Sequence, residues 1–110
     1  MNNSKRTSDL EKFESIWTSY WLEDDFRSKT LSQISKDFWL SGIILNLEEL
    51  QKYKTLDSLA DYLNKTIRDN PRPQLLYIVD LKEKSYDNIG LAIIQRIAYK
   101  VFLRKHFSGQ

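Results

Sequence analysis

The stretch from Ile89 to Leu103 constrains this chain more than any other. Ile89, Leu91, Ala92, Ile93, Ile94, Ile97, Ala98, Val101, Phe102 and Leu103 spread over most of the circumference of a helix that Ser85 or Asp87 opens and that runs to about His106. A helix that is apolar nearly all round lies at the centre of a core or is shared with an interface. Gln95, Arg96 and Lys100 interrupt it, so it does not read as a membrane span. The remainder of the 110 residues is left to wrap around it, and that length predicts one domain.

The segments available for wrapping are mostly helical in pattern. Residues 1–7 are polar and read as a disordered tail, with a single domain over 8–110. Ser8-x-x-Glu11 is a capping box. Behind it, Leu10, Phe13, Ile16, Trp17, Tyr20 and Trp21 fall within an arc of about 140° at 100° per residue. This helix is expected to end near Glu23-Asp24-Asp25, whose charges oppose a helix C-terminus. Thr30-x-x-Gln33 resembles a second capping box, followed by Leu31, Ile34 and Phe38, with Ser41-Gly42 as the stop. Asn46-x-x-Glu49 caps a short helix holding Leu47 and Leu50. Thr55 caps a further helix with Leu56, Leu59, Ala60, Leu63 and Ile67 on one face, and Asn70-Pro71-Arg72-Pro73 stops it.

One stretch reads differently. Gln74–Leu81 combines β-branched and aromatic residues between a proline-rich loop and a Lys-Glu-Lys turn, which predicts a strand. Such a strand needs a ladder partner, with Ile43–Leu45, a second copy of the chain or another protein as the options. The expected fold is therefore mostly α: a compact helical domain of four to five helices with one or two short strands, α+β at the margin.

Composition removes most catalytic chemistry. There is no cysteine and a single histidine, His106, which leaves no thiolate metal site and almost no material for a nucleophilic triad. No phosphate loop, dinucleotide fingerprint or nucleophile elbow is present. No enzyme activity, cofactor or metal is expected. The polar N-terminus does not read as a secretory signal, so the expected compartment is the cytoplasm. Residues 1–53 carry 7 Lys or Arg against 9 Asp or Glu, while residues 54–110 carry 10 against 6, so the charge is segregated.

Half of the aromatic residues lie between Phe13 and Trp39. Trp21, Glu23, Asp24, Asp25, Phe26 and Trp39 are the candidate partner-binding residues, because aromatic side chains anchor an interface while carboxylates steer a basic partner toward it. Trp39 falls about 100° off the Leu31–Ile34–Phe38 stripe and is expected to be exposed. Leu31 to Ser41 resembles the first helix and turn of a helix-turn-helix DNA reader, with Ser35 at the small-residue position. It departs from that pattern in having Trp39 where the turn glycine stands, and only Asn46 and Gln51 follow to read bases. Asp57-Ser58-Leu59 resembles the phosphopantetheine attachment motif of acyl carrier proteins, but Asp57 and Ser58 equally suit a first helical turn.

The functional expectation is a non-catalytic protein-binding module that neutralises or regulates another protein, a bacterial toxin-immunity protein or antitoxin acting on a basic toxin domain being the simplest example. The alternatives are a helix-turn-helix DNA-binding regulator and a structural or assembly adaptor that forms a homodimer through the last helix or the strand. Nucleic acid and membrane are not the expected partners.

Overall fold

The computed structural model describes residues 13–82 and 84–107, with side chains to Arg104. Among these residues there are six helices and no strand. They are α1 (residues 13–20), α2 (Asp24–Leu40), α3 (Leu47–Leu50), α4 (Leu56–Asp69), α5 (Gln74–Val79) and α6 (Ile89–Phe107). The tail over 1–7 and the Ser8–Glu11 capping box lie outside the described residues, as does the side chain of His106.

The last helix is the axis of the molecule. Ile93, Ile94, Ile97 and Ala98 are fully buried, and α2, α4 and α5 all pack against α6. α1 covers the C-terminal half of α6 through a ring cluster. Phe13 stands 5.1 Å from Tyr99 and 5.2 Å from Phe102, and Tyr20 stands 5.6 Å from Phe102. Edge-on and tilted rings at such separations add to the area they bury.

Local chemistry explains where the helices begin and end. Asn46 Oδ1 accepts from the N–H groups of Glu48 and Glu49 at the start of α3, and Thr55 Oγ1 accepts from Ser58 N–H at the start of α4. Both caps are as the sequence predicts. The Thr30 cap is a correction. Thr30 lies inside α2, fully buried, and its hydroxyl donates to Phe26 O at 2.9 Å. The helix starts six residues earlier, where Asp24 and Asp25 occupy the first turn and complement the positive end of the dipole. The carboxylates that stop one helix thus start the next.

α2 stops in a Schellman motif. Ile43 N–H donates to Phe38 O at 2.8 Å, and Gly42 N–H donates to Trp39 O at 3.0 Å. Gly42 has φ +96°, which an L side chain rarely adopts, and Ile43 and Phe38 are both buried as the motif's apolar pair.

Gln74–Leu81 is the second correction, since it contains helix α5 rather than a strand. Leu75 and Val79 are buried four residues apart, while Tyr77 points away from the core at 86% exposure. A strand would have placed all three on one face. A six-residue helix also closes hydrogen bonds of its own, which removes the need for a ladder partner. Ile43–Leu45, the intrachain pairing option, is irregular chain linking α2 to α3. Its burial alternates as in a strand, with Ile43 and Leu45 in and Ile44 out.

α5 ends in a second Schellman motif, with Leu81 N–H donating to Leu76 O at 2.8 Å and Asp80 at φ 70° in the glycine-like position. Arg96 Nη2 donates to Asp80 Oδ2 at 2.6 Å, and Arg96 also faces the Tyr99 ring. The hydrogen bond and charge of Arg96, aided by Lys100, hold the Asp80 carboxyl below its ordinary value of 3.8. The folded value is thus lower than the unfolded one. The stabilisation is present above pH 3.8 and is lost as the pH falls through the folded value. Asp80→Asn is expected to flatten the acid limb of a stability–pH curve in that window, as followed by urea unfolding from pH 2 to 6. A slope equal to that of the wild type would show that the pair contributes nothing.

The first turn of α6 is closed from another helix. Asn88 Oδ1 accepts from Leu91 N–H at 3.1 Å, so Asn88 is the N-cap, one residue after Asp87. Asn64 of α4 donates through Nδ2 to the same Asn88 oxygen at 2.8 Å and accepts from Gly90 N–H at 2.6 Å. The two amides join α4 to α6 at a point where Gly90 allows the helices to meet closely.

Candidate protein-binding surfaces

The six residues singled out in the sequence do not form one patch. Trp21 and Phe26 are each only 2% exposed and belong to the core. This corrects their assignment to a partner surface. The reason lies in the periodicity: Trp21 extends the apolar stripe of α1 into the turn that follows it, and Phe26 meets the Tyr20 ring at 5.4 Å across that turn. Glu23, Asp24 and Asp25 are exposed at the start of α2, with Leu22 beside them. Part of their charge is matched locally, since Asp24 pairs with Arg27 at 2.6 Å and Asp25 with Lys29 at 3.3 Å. Trp39 lies at the far end of the same helix, about 22 Å away at 1.5 Å per residue.

Trp39 is 63% exposed, and it is not alone. Leu40, Ile44 and Leu47 are also exposed, and Ile44 reaches 84%. Ser35 lies one turn before Trp39 on the same face of α2, and its hydroxyl donates to Leu45 O at 3.4 Å. Segment 43–46 therefore runs along the helix face that carries Trp39. Gln74 Nε2 donates to Ser41 O at 3.3 Å, which ties the start of α5, and with it the side bearing Tyr77, to the same turn. Trp39, Leu40, Ile44 and Leu47 thus flank the Gly42 turn along the chain, with the Arg72 side chain against Gly42 itself. Sequence reasoning found Trp39 but missed Ile44, Leu47 and Tyr77. For Ile44 the signal is that a three-residue apolar run between two caps cannot bury all its members if its backbone is extended.

Carboxylates next to aromatic rings, expected at the α1–α2 junction, occur instead across α3 and α4. Tyr53 and Tyr62 stack at 4.7 Å between ring centroids. The groove they share is lined by Glu49, Asp61 and Asp69 together with Lys65. Tyr53 Oη donates to Glu49 Oε2 at 3.1 Å. Desolvation, together with that bond, pushes the Tyr53 phenol above its ordinary value and keeps it neutral. These residues come from two helices and a loop, so no linear pattern announces them.

Two motif resemblances lose their geometry. The helix after the α2 turn is α3, only four residues long, and it carries Glu48 and Glu49 rather than cations or amides that read bases. Ser58 is engaged in its own cap, with Oγ donating to Thr55 O at 3.0 Å. Among the described residues, no three His, Cys, Asp or Glu side chains gather where a metal ion would bind. No described helix is long and apolar enough to cross a membrane. Comparison with protein-family models, curated proteins and solved structures gives no match for this chain.

Proposed function

We propose that this chain is a non-catalytic protein-binding module that acts by occupying another protein, in the manner of a toxin-neutralising immunity protein or an antitoxin. The observation that carries the reading is the exposed apolar group Trp39, Leu40, Ile44 and Leu47 around the Gly42 turn. Scattered exposed leucines need no explanation, but a solvent-facing tryptophan with three further exposed apolar residues within eight positions of the chain supports an interaction site. Tryptophan is also the residue most enriched among interface hot spots. The Schellman turn fixes the backbone beneath the group, so little ordering entropy is lost on docking. The Tyr53–Tyr62 groove with Glu49, Asp61 and Asp69 suits a basic region of the same partner.

The test uses the double variant Trp39→Ala, Ile44→Ser against a partner identified by affinity capture with the wild-type chain. Both side chains are exposed, so the unfolding free energy is expected to change by no more than about 0.5 kcal/mol. Affinity is expected to fall by about 30-fold or more, as for loss of a hot spot. Undiminished affinity in the folded double variant would remove this surface from the account. Sedimentation equilibrium at two concentrations tests self-association through this same surface, which predicts a dimer that the double variant dissociates.

A further inference from the structure

The loop between α4 and α5 places a cation on the turn that ends α2. A Cβ added at Gly42 would lie 3.3 Å from Arg72 Nε and 3.9 Å from Arg72 Cδ, so the arginine side chain lies directly against the glycine. Two features fix the backbone that carries it. Gln74 Nε2 donates to Ser41 O at 3.3 Å, which ties the segment after Arg72 to the same turn. Pro71 and Pro73 stand on either side of Arg72 and restrict its backbone.

Arg72 has no carboxylate of its own. Among the described residues its one hydrogen bond runs from Nη1 to the adjacent Pro71 O at 3.4 Å, and it joins no ion pair. Lys36 is likewise unpaired among these residues, and it lies one turn before Trp39 and Leu40 on the same face of α2. Glu48, the one exposed carboxylate in residues 36–48, pairs with neither cation. An unmatched guanidinium thus stands at the turn that Trp39, Leu40 and Ile44 flank.

We infer that Arg72 is the charge-reading residue of the Trp39 surface, and that the partner docks there with an amphipathic segment carrying apolar side chains and a carboxylate. This rests on the reading of that surface as a protein-binding one. The planar fork of a guanidinium matches the two oxygens of a carboxylate. Arginine shares with tryptophan the strongest enrichment among hot spots, and a restricted backbone lowers the cost of ordering it on docking. A basic segment would set like charge against Arg72 and Lys36. An anionic bilayer is the poorer fit, since attachment to it draws on a cluster of several cations, and Glu48 here opposes the two present. The partner's charge is therefore divided, acidic where it meets Arg72 and basic toward the Tyr53–Tyr62 groove.

Fluorescence anisotropy with labelled amphipathic helical peptides tests this. Three peptides share one leucine-rich face and differ only in the residues flanking it, which are Glu, Gln or Lys. The Glu peptide is expected to bind about tenfold more tightly than the Lys peptide at low salt, with the Gln peptide between them. Arg72→Glu is expected to abolish or reverse that order. It breaks no ion pair, so circular dichroism and the urea midpoint should match the wild type. The variant Trp39→Ala, Ile44→Ser is expected to weaken all three peptides alike. Unchanged binding by that variant would remove the surface itself, and this inference with it. The inference alone falls if the double variant weakens binding but the peptides bind equally, or if their order survives Arg72→Glu. It also falls if the Glu peptide does not bind at millimolar concentration, or if phosphatidylserine vesicles hold the chain through Arg72 and the Glu peptide does not compete.

Discussion

Gly90→Ala is expected to destabilise the fold by about 3 kcal/mol, the upper end of what overpacking costs. A Cβ on residue 90 would lie 2.5 Å from Ala60 O and 2.8 Å from Asn64 Oδ1. The first neighbour is backbone in the middle of α4, at a fully buried residue, and it has no freedom to turn aside. The second is held by hydrogen bonds from Gly90 N–H and to Asn88. Relief would require α4 and α6 to separate, opening the contact between two helices whose inner faces carry Leu59, Leu63, Ile93 and Ile94, all fully buried. Alanine's advantage in helix propensity, about 1 kcal/mol, acts in the other direction and is the smaller term. Urea unfolding followed by circular dichroism measures the sum. Gly42→Ala supplies the comparison, since its cost comes from φ +96° and is expected to be about 1 kcal/mol. A stabilised Gly90→Ala would mean that the two helices do not approach as closely as this.

Phe38→Ala is expected to cost about 4 kcal/mol, within the range for emptying a buried phenylalanine site. Phe38 is fully buried on α2, the helix that packs against α6 and α5. Its carbonyl accepts from Ile43 N–H, and its ring is the apolar partner of Ile43 in the Schellman turn. The truncation therefore leaves a cavity and also loosens the turn that supports Trp39, Ile44 and Leu47. A single domain of this size has about 5 to 15 kcal/mol in total, so the variant should remain folded but with a midpoint well below that of the wild type. Phe38→Leu, which keeps most of the volume, is expected to lose less than half as much. A loss below about 1.5 kcal/mol for Phe38→Ala would place the residue outside the core.

The parts of the fold legible in the sequence are those whose signals are local. The Asn46 and Thr55 caps, the Ser41–Gly42 stop and the central position of the last helix follow from side chains acting within a turn of where they stand. The misreadings are where local evidence is symmetric. Thr30 has the spacing of a cap, yet a threonine inside a helix can bond back to the carbonyl four residues earlier, and its place on the buried face of α2 selects that geometry. Leu75, Tyr77 and Val79 satisfy a period of two, and only the face offered by α2 and α6 decides that two of them go in and the tyrosine goes out. The same holds for function. Trp39 stands out because it leaves its helix's apolar stripe, whereas Trp21 and Phe26 sit beside carboxylates in sequence but point away from them in space. Groups assembled from distant elements, such as Tyr53 with Tyr62 or Arg104 with Gln33, have no signature in the order of residues.

The amide joint between α4 and α6 has a consequence for how the molecule opens. Asn64 and Asn88 are 24 residues apart, and each completes the hydrogen bonding of a helix start that neither could satisfy alone. Pulling α4 away therefore exposes the first N–H groups of α6 to water at the same moment as it uncovers the apolar axis. Fraying of α6 from its N-terminus is thereby tied to the release of α4. In native-state hydrogen exchange, amides of α4 and of the α6 N-terminal half should exchange through one shared opening, while those of α1 and α3 are released by smaller, separate fluctuations.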